Sequence, residues 1–130
     1  MKPAIYVRES VSIPYATAIV KGIKPIETRT KDVLGRFVGA NVLIIRTRNG
    51  HPAEIVGSVT ITGKRFVSAS EMDSDSMRNK TLIPPGSKFD HHGRGKWCYS
   101  LENAVQYSKP IPLSYYTIEH KTRSWAMLSA

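Results

Sequence analysis

The dipeptide Asn49-Gly50, set between two β-rich runs, constrains this chain more than any other feature. In "NVLIIRTRNGHPAEIVGSVTITG" both turn residues tolerate positive φ, so the pair closes a tight hairpin between antiparallel strands "VLIIRTR" and "EIVGSVTIT". Gly57, inside the second strand, marks a bulge or the close approach of another backbone. A sheet has to grow around this hairpin. "PAIYVRE" (Pro3–Glu9) mixes β-branched and aromatic residues and supplies a first strand. "GRFVGA" turns the chain into the hairpin. "WCYSLENAVQYSKPIPL" reads as two strands joined by a turn at Glu102-Asn103, and "RSWAML" returns as a last strand.

The helical content is small. "SIPYATAIVKG" carries Ile13, Ala16, Ile19 and Val20 at helical spacing, with Ser12 as cap, Pro14 in the first turn and Gly22 as the stop. "SASEMDSDSMRNKT" holds a short capped helix starting at Ser68 or Ser70. "LIPPGSKFDHHGRGK" is a long loop rich in Pro, Gly and charge, the kind of segment that carries function in a small domain. Five or six strands with one or two short helices predict an α+β fold, built on a mainly antiparallel, partly closed β-barrel.

With 130 residues the chain is expected to form a single domain, 1–130, able to bury one core without disulfides or metals. No apolar run approaches the roughly 20 residues of a membrane span, and "MKPAIYVRESVS" lacks the apolar core of a signal peptide. The one cysteine, Cys98, cannot pair internally, which predicts a reducing, cytoplasmic setting. Nineteen Lys+Arg against ten Asp+Glu give a net charge of +9. The excess is concentrated in the first half, notably in Lys21–Arg48 with Lys31, Arg36, Arg46 and Arg48. Such a surface attracts polyanions, and nucleic acid is the commonest of these in a cytoplasm.

The stretch "GIKPIETRT" (Gly22–Thr30) follows the first helix. Pro25 prevents the helix from continuing, and Ile26 and Thr28 alternate with Glu27 and Arg29 as in a strand. Lys24, Glu27 and Arg29 are either a solvated strand edge or the floor of a site. The lysine suits a phosphate anchor or an activated amine. The glutamate suits a general base or an acceptor for an exocyclic amine. The arginine suits phosphate recognition, or orients the glutamate.

"GIKPIETR" resembles the Gly-x-Lys-x-x-Glu-x-Arg signature of ASCH domains, members of the PUA-like superfamily. "GKWCYSLENAVQYSKPIPL" is similar to the aromatic strand and Lys-Pro-Ile-Pro ending of these domains, so the resemblance runs from about Ala4 to Leu113. It implies a small β-barrel with short flanking helices and a cleft lined by the signature. The superfamily includes RNA-binding modules, readers of modified bases and a few enzymes. ASCH activities include an amidohydrolase acting on acetylated cytidine and an RNA-cleaving nuclease. In the amidohydrolase type the signature lysine, here Lys24, is the catalytic residue. That type has a threonine three positions later, where this chain has Glu27. A further acidic residue would fall between Ser68 and Asp90, with Glu71, Asp73 and Asp75 as positional candidates.

The expected ligand is RNA or a modified nucleoside. Lys24, Glu27 and Arg29 would form the cleft, and Tyr15 or Trp97 would stack on a base unless they belong to the core. Lys96 would lie on the binding edge, and Arg46 and Arg48, on one strand face, would track phosphates. If the cleft is catalytic, Lys24 would stabilise negative charge and Glu27 would move a proton, in an acylated-cytidine amidohydrolase or a metal-independent ribonuclease. A regulatory module binding a protein partner is the third reading. No metal or cofactor is expected. Adjacent His91 and His92 point apart, and no zinc spacing includes Cys98, which reads as a buried, inert thiol.

Overall fold

The hairpin forms around Asn49-Gly50. In the computed structural model, which describes residues 1–130, β3 (Asn41–Arg48) and β4 (His51–Val67) pair antiparallel on either side of that turn. Gly50 alone takes the left-handed backbone, at φ +74°. Arg46 pairs with Glu54 and Arg48 with His51, so β4 holds one extra residue beside the turn.

The other strands add outward from this pair. β1 (Lys2–Arg8) runs parallel to β3, and a parallel partner needs a long crossover connection. That crossover contains helix α1 (Tyr15–Val20) and strand β2 (Ile26–Arg29). β5 (Lys96–Pro112) pairs antiparallel with both β4 and β2. β7 (Trp125–Ser129) pairs antiparallel with β1, and β6 (Thr117–Lys121) closes that side. The order β2-β5-β4-β3-β1-β7-β6 is one mixed, seven-stranded sheet with a single parallel pair, open at β2 and β6.

At the centre of the sheet both faces are covered. Val42 and Ile44 of β3 enter the main core with Ile5, Val59, Ile61 and Tyr99. Leu43 and Ile45 enter a second core with Ala4, Ile55, Ala126 and Leu128, over which Tyr107, Ile111 and Leu113 pack. Burial on both faces is why "VLII" is an unbroken apolar run. Gly57 of β4 allows the tightest contact. A Cβ there would lie 2.0 Å from the Val105 carbonyl oxygen and 2.8 Å from Val20 Cγ1. α1 can therefore seat directly on the bend.

Three local expectations are corrected. Glu102-Asn103 is not a turn: β5 continues through it, with Thr60 opposite Glu102 and Ser58 opposite Val105. Asn103, at φ +54°, is absorbed as a bulge, which bends the strand without reversing it. Ser12 does not cap α1. Pro14 occupies the cap position, and the Glu9 carboxylate reaches from the end of β1 to accept the Thr17 N–H at 2.8 Å and its hydroxyl at 3.0 Å. The Ser68 segment forms two helices, α2 (Ala69–Met72) and α3 (Asp75–Thr81). The Ser68 and Ser74 hydroxyls accept the Glu71 and Met77 N–H groups as their N-caps.

Candidate functional site

The end of α1 places the first site residue. Gly22, at φ +76°, donates to the Ile19 carbonyl, and Ile23 donates to the Ala18 carbonyl, so the helix stops in a Schellman turn. Lys24 also donates its backbone N–H to Ala18. This wraps the chain under the helix and sends the lysine inward. β2 then starts after Pro25, and Glu27 and Arg29, two residues apart, share one face.

The three side chains meet. Arg29 Nη2 donates to Glu27 Oε2 at 3.1 Å and to the Tyr6 carbonyl at 2.8 Å. Glu27 Oε1 accepts the Thr28 N–H at 3.0 Å and lies 3.7 Å from Lys24 Nζ. Lys24 is only 1% exposed. Its ammonium donates to the Thr81 carbonyl at the end of α3 and sits 4.5 Å from the centre of the Tyr15 ring. Burial lowers the Lys24 pKa, against the opposing pull of Glu27. Burial would raise that of Glu27, but the charges of Arg29 and Lys24 outweigh it and hold the carboxyl below its ordinary range. Glu27 is therefore an ionised acceptor at neutral pH. Its Oε1 is taken up by the Thr28 N–H and the Lys24 ammonium, whereas Oε2 has Arg29 as its one partner and keeps further acceptor capacity.

Above Glu27 lies a cleft of ≈ 250 Å³ lined by Tyr6, Val7, Arg8, Tyr15, Glu27, Thr28, Arg29, Thr30, Phe89 and Lys96. Tyr15 and Phe89 pack on each other along one side of it, with 6.0 Å between ring centres and a tilt of 57°. The Tyr15 hydroxyl donates to the Leu82 carbonyl at 3.3 Å. Burial first, then the charges of Glu27 and Asp90, push its pKa up to about 12. Lys96 donates to the Phe89 carbonyl at 3.3 Å, tying the long loop to β5, and burial lowers its pKa.

Of the expected residues, Glu27, Arg29, Tyr15 and Lys96 line the cleft, and Lys24 lies behind its wall with no exposed side-chain surface. Trp97 is not there. It lies opposite Arg29 across the β2–β5 pair, but its ring packs on Phe66, 5.5 Å between centres, and beneath Lys64, away from the cleft. Arg46 and Arg48 do share a face, but both bond Glu54, at 2.8 and 3.1 Å, and neither lines this cleft. The positional acids lie elsewhere as well. Glu71 holds Arg65, Asp73 holds Arg78 and His91, and Asp75 is exposed in the first turn of α3. The acid that organises the loop is Asp90, which accepts from Arg78, the Gly86 N–H and the His91 N–H. His92 contacts the Lys88 carbonyl, and Cys98 is buried against Met72. No group of three or more His, Cys, Asp or Glu side chains is arranged to hold a metal ion.

Sequence reasoning missed Arg8 and Phe89. Arg8 was hidden as an ordinary strand-end arginine. Phe89 had a legible signal, since a lone aromatic in a polar loop has to pack on something.

The fold is shared with solved ASCH proteins. The crystal structure of ASCH from Zymomonas mobilis superposes with a TM-score of 0.67 at 18% identity, covering 85% of this chain and 74% of that one. Two mutant structures of the Zymomonas mobilis protein match over the same share of this chain, with TM-scores of 0.64 at 16% identity and 0.61 at 18% identity, covering 75% and 76% of their chains. No protein-family model and no curated protein matches by sequence. The chain thus shares the α+β fold of these ASCH structures. No helix is long and apolar enough to cross a membrane.

Proposed function

We propose that this protein is an ASCH domain that binds RNA or a nucleotide, taking one base into the cleft above Glu27. The observation that carries this reading is the buried, ionised Glu27 carboxylate on the floor of a cleft walled by Tyr15 and Phe89. A carboxylate accepts from an exocyclic amine such as that of cytosine. An aromatic side of the cleft contacts one face of a base. Arg8 and Lys96 at the same cleft supply positive charge for the attached phosphate. The "GIKPIETR" signature and the shared fold point the same way.

The test is fluorescence anisotropy with labelled single-stranded RNA and with nucleotides, across a salt series. Binding that weakens as salt rises, and that drops about tenfold or more in Glu27→Gln through loss of a charged hydrogen bond, is the expected result. Absence of binding to every RNA and nucleotide tested would overturn the reading.

One observation favours a second reading, a hydrolase in the same cleft. Lys24 and Glu27 are an amine of lowered pKa and a carboxylate in contact, the components of a proton relay. Because the lysine is sealed behind the wall, it would act through Glu27. Product analysis after incubation with acylated cytidines and RNA, beside a Lys24→Met control, separates the two readings. Turnover lost in the variant would make the protein an enzyme. Ligand recovered unchanged would leave it a binder. The cytoplasm, where RNA is abundant, is the proposed location.

A further inference from the structure

The cleft is not a closed pocket. A second groove of ≈ 410 Å³ adjoins it and shares two residues with it, Arg8 and Phe89. Its lining combines the end of β1, the β3–β4 turn and the long loop, three segments far apart in sequence. The groove brings together Arg8, Arg48, His51 and Lys88. Arg8 is anchored by a neutral partner, the Asn49 side-chain oxygen at 2.7 Å, so its charge is not cancelled. Lys88 is exposed, with its ammonium 5.6 Å from the centre of the Phe89 ring. The Arg48 carboxylate partner, Glu54, is shared with Arg46, which makes the shorter bond. The one acidic residue in the lining, Glu9, is 9% exposed and is committed to Thr17.

We infer that this groove is a phosphate path, and that the ligand is a single-stranded oligonucleotide of several residues with one base in the cleft. The inference rests on the base-binding reading above. Phe89 is the divide, with one base against its cleft side and the backbone leaving past its other side. Arg8 sits where the phosphate nearest that base would pass. Lys88 and Arg48 then meet the phosphates beyond it. Grooves of fixed positive charge beside an aromatic are how single strands are held without reading their sequence. A free nucleoside would leave the whole groove unused.

The test compares a mixed-sequence RNA pentamer, its DNA counterpart and the four nucleoside 5′-monophosphates, by anisotropy or calorimetry from low to moderate salt. The expected result is that a pentamer binds about tenfold or more tighter than any monophosphate, with a steeper salt slope, each neutralised phosphate adding roughly 0.7 to the slope. Lys88→Gln with Arg48→Gln should bring the pentamer-to-monophosphate ratio back towards one and flatten the slope by about 1.4. Both side chains are at the surface or half-buried, and circular dichroism checks that the variant is folded. Advantage for RNA alone would show that the 2′-hydroxyl is read as well, and equal advantage for DNA that only the phosphodiester is. Pentamers no tighter than monophosphates, or an advantage that survives in the double variant, would overturn the groove. Pentamers that bind through the groove while monophosphates do not bind, and Glu27→Gln changes nothing, would keep the phosphate path and overturn the base-binding reading instead.

Discussion

Glu27→Gln removes the charge that the Lys24 ammonium faces inside the protein. An ion left buried without its partner is costly, so this variant should lose about 3 kcal/mol of stability, read from the shift of its urea midpoint. Adding Lys24→Met takes away the stranded charge. The double variant should then be more stable than the sum of the single losses implies, with a coupling of roughly 1–2 kcal/mol. Strict additivity would mean that the 3.7 Å contact carries no energy. Arg29 differs in kind. It is partly exposed and bonded to both Glu27 and the Tyr6 carbonyl, so it orients the carboxylate as well as neutralising it. Arg29→Lys keeps the charge but loses the planar guanidinium whose Nη2 holds both acceptors. It should weaken nucleotide binding several-fold, read by anisotropy, while leaving the melting temperature nearly unchanged.

The long loop and the two long strands each make a testable claim about an element. Asp90 ties the loop to α3 through Arg78. Its burial favours the neutral acid, but the Arg78 bonds and the Gly86 and His91 N–H groups prevail and hold its pKa far below the ordinary range. Asp90→Asn should cost on the order of 2–3 kcal/mol. It should also raise hydrogen exchange in residues 82–95, and with it loosen Phe89 at the cleft. In the strands, Gly57→Ala drives a methyl into the Val105 carbonyl and Val20, and should cost about 3 kcal/mol or more or prevent folding. A variant with an unchanged melting temperature would show that the bend is slack. What the sequence disclosed follows the same division. The hairpin, β1, the α1 stop at Gly22 and the Glu27–Arg29 face were legible, because each depends on neighbours in the chain. The bend at Asn103 was not, because a positive-φ Asn reads equally as turn or bulge until β4 lies opposite. Trp97 was misplaced for a related reason: it shares a face with Arg29, and only the β4 partner Phe66 decides that its ring packs away from the cleft. The Glu9 cap and the Asp90 clamp join residues that no local pattern connects.

At the scale of the whole molecule, charge governs stability in acid. Besides Asp90, the carboxyls of Asp32, Glu54, Glu71 and Asp73 are held below their ordinary pKa by basic partners, through bonds to Lys64, Arg46, Arg65 and His91 respectively. A carboxyl whose folded pKa is depressed contributes stability that is present above its unfolded value. That contribution is lost as the pH falls through the folded value. The protein should therefore hold its melting temperature from pH 7 to about pH 5, then lose it steeply below pH 4. In Asp90→Asn the acid limb should be shallower. An unchanged limb would mean that Asp90 titrates normally.

The bond from Lys24 to the Thr81 carbonyl, together with the pairing of β2 with β5 alone, orders events during synthesis. When residues 24–29 leave the ribosome, neither their hydrogen-bonding strand nor the carbonyl that receives the ammonium has been made. The β1–β3–β4 portion can collapse early around its shared apolar residues. The three charges stay in water until Lys96–Leu101 emerges and docks. The cleft thus forms only after β5 has emerged, and a nascent chain cannot present it to any ligand until residues through Leu101 have been translated.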